Sequence, residues 1–219
     1  MTFIKCTTFF LILTIVGCSS NKKFKLEMET VKNELEEIRK LDQYCANNPR
    51  PPEKFKNYPE EKWFAFRDSV YVRNQEKIEK YLDKYGYLGI DKVGEHTSDI
   101  FWLIAQHSDK NVTFQKRVLE KLKIEVDKKN ARTSNYAYLY DRVKLNSNEK
   151  QLYATQVEYN KLGQATPKNL EDSINIDSRR KQYSLKPLKE YLNLLTKNHF
   201  EMNKDFFLKK GITEPNLYK

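Results

Sequence analysis

Residues 100–109 read Ile100-Phe101-Trp102-Leu103-Ile104-Ala105-Gln106-His107-Ser108-Asp109, an apolar run followed without a break by polar residues. A helix carrying that run is apolar on every side, which is how a helix enclosed by its neighbours reads; a surface helix shows only a stripe. The segment therefore predicts a helical domain wrapped around it. Its polar end poses a question. Burying the Gln106 amide and the His107 imidazole costs free energy unless both are hydrogen-bonded.

The flanking sequence supplies the wrapping. Residues 24–47 place Val31, Leu35, Ile38, Leu41 and Cys45 at helical spacing among Glu and Lys. Asn48-Pro49-Arg50-Pro51-Pro52 ends that helix, since successive prolines cannot continue one. A second helix is predicted from just after Pro59, with Glu60 and Glu61 in its first turn, to Tyr85 before Gly86. Its stripe runs Trp63, Phe66, Val70, Tyr71, Ile78, Tyr81, Leu82 and Tyr85, interrupted by Asn74. Gly86 to His96 reads as a loop, with Thr97 or Ser98 capping the helix that holds the apolar run. A fourth helix is expected from about Val112 to Lys129, carrying Phe114, Val118, Leu122 and Val126, and a short one near Asn135 to Val143.

Beyond Asn146 the period changes. Tyr153, Thr155, Val157 and Tyr159 alternate, which suits a strand, and Asn146-Ser147-Asn148 is turn-rich, so Val143–Leu145 and Leu152–Tyr159 are expected to form a hairpin. Asp177 is placed as the N-cap of a short helix holding Arg179 and Arg180, and Pro187 opens the last main helix, with Leu188, Tyr191, Leu192 and Leu195 inward. The fold class is thus mainly α: a single helical domain over residues 24–210 with a small β-hairpin, and a loose tail over 211–219.

The start of the chain reads differently. One lysine, Lys5, precedes an apolar stretch from Thr7 to Val16, which would rise only about 15 Å as a helix, half of a bilayer's hydrocarbon core. Residues 1–17 have the shape of an export signal. Ile15-Val16-Gly17-Cys18 resembles the lipobox of bacterial lipoproteins, in which the Cys is acylated and becomes the new N-terminus; residues 18–23 are then a lipidated Cys with a short tether. Ser19-Ser20-Asn21-Lys22-Lys23 carries no acid, which in such systems points to an outer-membrane address facing the periplasm. With Cys6 leaving in the signal and Cys18 consumed by lipid, Cys45 is left alone, so the fold has to hold by its core without an intramolecular disulfide.

Composition narrows the function classes. The chain has 219 residues with 40 Lys and Arg against 30 Asp and Glu; without the first 17 it has 202 residues and a net charge of +9. Five of those nine charges fall between Asp177 and Lys219. Such a face suits an anionic neighbour, and equally a solvated lysine-rich surface. Nucleic acid is not expected as a partner, because the chain shows no reading module. No metal and no cofactor is expected. His96, His107 and His199 lack the spacing of a zinc helix, and neither a phosphate loop, a dinucleotide fingerprint nor a Gly-x-Ser-x-Gly elbow occurs.

A set of motifs recurs along the domain: Trp102-Leu103-Ile104-Ala105-Gln106-His107-Ser108-Asp109 with Phe114-Gln115, then Ala137-Tyr138-Leu139-Tyr140-Asp141-Arg142-Val143, then Gln151-x-Tyr153-Ala154-Thr155-Gln156, then Asp177-x-Arg179-Arg180 with Leu185-x-Pro187-Leu188. Together they resemble a bacterial domain family of unknown function, over about Asn74 to Tyr191. There are departures. Ala154 and Ser184 stand where that family usually has Gly, and Asp42-Gln43 lacks the Arg that commonly follows three residues after the Gln. The resemblance implies a shared architecture and a shared polar centre, and no activity.

The candidate polar site is Asn74, Gln106, His107, Asp141, Arg142, Thr155, Gln156 and Arg180. It has two readings. In one, His107 is a general base or ligand donor oriented by Asp141, with Arg142 or Arg180 holding an anion, as in a hydrolase-type enzyme. In the other, these residues form a buried network tying the hairpin to the helical core. Asp141 and Arg142 diverge by about 100° on a helix, so each needs its own partner, Asp177 and Asp109 being the available acids. The leading expectation is a lipid-anchored envelope protein that binds a ligand or a partner.

Overall fold

The computed structural model describes the backbone of residues 10–219 and the side chains of residues 21–219. The expected export signal and the expected lipid on Cys18 lie outside the residues whose side chains are described. Helix α1 (Phe10–Asn47) buries Met28, Val31, Leu35 and Cys45, and residues 21–23, expected as a tether, continue it. Its stripe differs from expectation at one place. Leu41 is 38% exposed, and Asp42, next to it, is 0% exposed. The true register runs 28, 31, 35, 38, 42, 45, steps of three and four that sweep a carboxylate into the core side.

After the proline segment, α2 (Glu60–Tyr85) has the predicted limits and runs antiparallel to α1. The Trp63 indole donates to the Asn48 carbonyl (2.9 Å) at one end, and the Tyr85 hydroxyl donates to Glu27 (3.0 Å) at the other. The stretch expected as a loop contains α3 (Ile90–Val93), and α4 (Glu95–Gln106) begins ahead of the predicted caps, with Thr97 and Ser98 buried inside it. Gly94, at φ 79°, closes one helix and opens the next, so no side-chain cap is used.

Helix α4 is the hub. It packs against α1, α2, α3, α5 and α6, and buries Ile100, Phe101, Ile104 and Ala105. The Asn111 side chain caps α5 (Val112–Asp127) by accepting from Phe114 N at 2.9 Å, and Phe114, Val118, Leu122 and Val126 are buried as expected. Helix α6 (Thr133–Asn146) lies along α5 and adds Leu139 and Val143 to the same core.

The hairpin sits elsewhere than predicted. Strands β1 (Val157–Tyr159) and β2 (Ala165–Pro167) pair antiparallel, with Val157 opposite Pro167, while Val143–Leu145 is the last turn of α6. Leu152–Gln156 is not strand because its amides are taken by the Asp141 carboxylate and Ala154 has φ 54°, a left-handed backbone that a strand does not hold. The rest is α7 (Ile176–Gln182), α8 (Leu188–Met202) and α9 (Lys204–Lys209). Asp177 lies in the first turn of α7, after the Asn175 cap, and its carboxylate accepts from Leu188 N (2.6 Å) at the start of α8. The tail is pinned: Tyr218 exchanges two hydrogen bonds with the Asn193 side chain, and its hydroxyl donates to the Ala165 carbonyl at 2.8 Å. The fold is mainly helical with one small two-stranded antiparallel sheet.

Candidate functional site

The predicted polar residues divide between two centres. The first lies where the C-terminal parts of α1 and α4 meet α2. His107 closes α4 with its backbone N–H on the Leu103 and Ile104 carbonyls, and its side chain swings towards α1. There Nδ1 lies 2.6 Å from Asp42 Oδ2. A carboxylate only accepts, so Nδ1 carries a proton, and Nε2 has no hydrogen-bond partner among the described residues. Asp42 has little else. Gln43 Nε2 donates to the same oxygen at 3.2 Å, and Oδ1 is buried with no hydrogen-bond partner among the described residues.

His107 lines a cavity of about 330 Å³ together with Ala46, Arg67, Tyr71, Gln75, Asp109 and Arg142, among others. The Tyr71 ring forms part of the wall, 5.5 Å from the imidazole centroid, with the Arg67 guanidinium 5.9 Å from its own centroid on α2. Burial pushes the Tyr71 phenol up in pKa, and the same cause pushes up the Cys45 thiol behind it, so both stay neutral. Arg67 also holds the end of α1: its Nε donates to the Cys45 carbonyl (3.0 Å) and its Nη1 to the Pro49 carbonyl (3.2 Å). The Ser108 hydroxyl is spent on the Ile104 carbonyl at 2.8 Å and is no nucleophile for His107 to activate.

Arg142 enters this cavity from α6 already paired. Its Nε and Nη2 donate to the two oxygens of Asp109 at 2.7 and 2.6 Å, the planar fork that a guanidinium makes with a carboxylate. Asn146 and Gln115 add donors to Asp109 Oδ1. Burial alone would push the Asp109 carboxyl up, but the Arg142 hydrogen bonds and charge hold it below the ordinary carboxylate range. Lys110 is likewise paired with Asp68, at 2.5 Å.

The second centre is Asp141, which sequence reasoning had placed beside His107. It faces the other way. Asp141 is 0% exposed and accepts from Leu152 N (2.8 Å), Tyr153 N (3.0 Å), Thr155 N (2.9 Å) and Thr155 Oγ1 (2.9 Å). It is the anchor of the loop before β1. Gln151, fully buried, finishes the job by accepting from Gln156 N (3.0 Å) and donating to the Gln156 carbonyl (2.8 Å). Arg180 is 0% exposed as well and cannot hold a ligand anion. Its Nη1 donates to the Tyr153 carbonyl (2.6 Å) and its Nε to the Lys186 carbonyl (2.7 Å), with the Tyr191 ring 4.7 Å away. Thr155 and Gln156 belong to this loop. Arg142 Nη1 reaches Gln156 Oε1 at 3.4 Å and is the bridge between the centres.

Asn74 and Gln106 are buried, each with an amide nitrogen unpaired among the described residues, and neither lines the cavity. Sequence reasoning missed Asp42, Arg67, Tyr71 and Gln151 as site or anchor residues. Two had a visible signal, Asp42 as an acid beside the helical stripe of α1 and Gln151 as the first residue of a motif. A separate concavity of about 490 Å³ is lined by Leu41, Tyr44, Phe55, Trp63 and neighbouring aromatics, and holds none of the predicted residues.

The chain belongs to a family of unknown function (DUF6624), whose sequence model matches residues 35–203. That span starts two helical turns before Asp42 and takes in both polar centres. No curated protein and no solved structure matches the chain.

Proposed function

We propose that this is a lipid-anchored envelope protein whose helical domain binds a small polar ligand in the cavity over His107. One observation carries the binding reading: Asp42, fully buried, is committed to His107, whose other nitrogen opens into the cavity. A buried carboxylate with an unpaired oxygen is a poor stabiliser, and an apolar residue at that register would pack at lower cost. Its use here is to fix the tautomer and direction of the imidazole. The envelope location rests on the lipobox-like Ile15-Val16-Gly17-Cys18 and the acid-free residues after it, with the outer membrane and the periplasm as the address.

The same pair favours a second reading, a hydrolase-type enzyme in which His107 acts as a general base. Asp42, rather than Asp141, is then the orienting residue. With Ser108 engaged and Cys45 enclosed, His107 would deprotonate water directly. A panel of esters, phosphate esters and glycosides, tested with the wild type and His107→Gln, separates the readings. Turnover that falls at least about 100-fold in the variant supports catalysis. Ligand-induced stabilisation without turnover, lost in the variant, supports binding. A variant that unfolds several degrees earlier and a wild type that answers to no compound would sink both. For the anchor, incorporation of labelled palmitate that disappears in Cys18→Ser is the expected result.

A further inference from the structure

The cavity is lined by the cations Arg67, Lys110 and Arg142 and by the carboxylates Asp68 and Asp109, with the Asp42 carboxylate behind His107. Lys110 is neutralised by Asp68, and Arg142 by Asp109 in a two-pronged pair. Among the described residues, Arg67 is the lining cation with no carboxylate within ion-pair distance; what it contacts is the pair of backbone carbonyls at the end of α1. The remaining charge is that of Asp42 beneath His107. Tyr71 from α2, whose ring lies against the imidazole, and Cys45 from α1, near Asp42 and Arg67, are kept neutral by burial. While His107 is neutral, the charges of Arg67 and Asp42 cancel. Once His107 takes a proton, the cavity carries one net positive charge, with the Arg67 guanidinium 5.9 Å and the imidazole 5.5 Å from the Tyr71 ring centroid.

We infer that the ligand of this cavity carries an oxyanion, a carboxylate or a phosphate ester, anchored by Arg67, and that it binds together with one proton on His107. This rests on the reading of the cavity as a ligand site and adds the ligand's charge, its anchor and its coupling to pH. The linkage has a definite sign. An anion that prefers the protonated form binds more tightly as pH falls, and by reciprocity its binding favours proton uptake. The cations expected from sequence, Arg142 and Arg180, are excluded for the reasons given: one is already paired and the other is sealed in the loop anchor.

The test is a histidine ¹⁵N NMR titration of the full chain with acetate in one arm and inorganic phosphate in the other, His107 signals being assigned by their loss in His107→Gln. The expected result is a saturable shift of the His107 signals, stronger at pH 5.5 than at pH 7.5, which identifies the preferred oxyanion by the arm that saturates first. Arg67→Gln should weaken it at least tenfold, while the paired change Lys123→Gln/Asp127→Asn, an exposed ion pair of α5 outside the cavity lining, leaves the net charge unchanged and should retain it. Because Arg67 also holds the end of α1, the His96 and His199 signals serve as the check that the variant is folded. The wild-type pH dependence tests the inference without any variant. The inference is overturned by the absence of a saturable shift in both arms, by affinity independent of pH, or by undiminished binding in a folded Arg67→Gln. The site reading fails separately, if the Nδ1 proton of His107 shows no hydrogen bond that Asp42→Ala removes.

Discussion

Replacing Asp141 by alanine tests whether the two polar centres are truly separate. The carboxylate satisfies three backbone N–H groups and one hydroxyl, and two of those amides, Tyr153 N and Thr155 N, belong to buried residues. An orphaned buried N–H costs about 1–3 kcal/mol, whereas the hydroxyl can rotate and the Leu152 amide, on a half-buried residue, can rehydrate. Against this stands desolvation: burial pushes the Asp141 carboxyl above its ordinary pKa even though the amide donors pull it down, so removing the charge returns part of the loss. The balance is about 3–5 kcal/mol for Asp141→Ala, a drop of about 6–20 °C in Tm for a domain of this size. Asp141→Asn keeps one oxygen for two donors and sheds the charge, so about 1–3 kcal/mol is expected. Thermal unfolding by circular dichroism measures both, and amide exchange at Leu152, Tyr153 and Thr155 should accelerate in each variant under native conditions. The His107 signals should be unmoved. A Tm within about 2 °C of wild type in Asp141→Ala, or loss of the His107–Asp42 hydrogen bond there, would refute the separation and return Asp141 to the site.

Four further outcomes follow from the same geometry. Asp42→Asn should fall within about 1 kcal/mol of wild type in urea unfolding, or exceed it, because it removes a buried carboxylate with an unpaired oxygen; a loss above about 3 kcal/mol would mark Asp42 as a structural tie. Ser184→Gly should stabilise by about 0.5–1 kcal/mol, since Ser184 sits at φ 55° on the exposed α7–α8 turn, and a lowered Tm would contradict the strain argument. The folded pKa of Asp109 is depressed, so its pairing with Arg142 contributes fully above the unfolded value of about pH 4 and is lost as pH falls through the lower folded value. With Asp109 partly exposed that contribution is below about 1 kcal/mol, and the gap in urea midpoint between wild type and Arg142→Gln should close below pH 4; a gap constant from pH 7 to 3 would exclude the pairing as its source. Removing residues 212–219 should cost about 1–3 kcal/mol through the Tyr218 bonds to Asn193 and Ala165, whereas a loose tail would leave the midpoint unchanged.

What could be read from sequence, and what could not, follows the range of the interactions. Helix α2 was legible to the residue because both its ends are set locally, by Pro59 and the acids after it and by Gly86 after Tyr85. The enclosure of α4 was legible because six consecutive apolar residues leave no face for water. The strand expected at Leu152–Tyr159 failed in its first half because alternation reports which side chains can share a face and is silent on where the amides go. Here they go to Asp141, a tertiary partner 11 to 14 residues upstream, and β1 is left with the three residues that escape it. Ala154 and Ser184 were visible only as departures from a usual glycine. Their φ values of 54° and 55° explain that preference, since both backbones are left-handed and glycine takes that conformation without strain. His107 was legible as a polar residue in need of a partner, and the partner was misassigned because nearness in sequence is a poor guide across a bundle. The deciding clue lay in α1: extending the register 28, 31, 35, 38 by one step lands on Asp42, and an acid on a buried stripe is there for a tertiary partner or not at all. A stripe is therefore best read for the residue that violates it, because burial of a carboxylate is tolerated only where another group, here an imidazole facing a cavity, makes use of its charge.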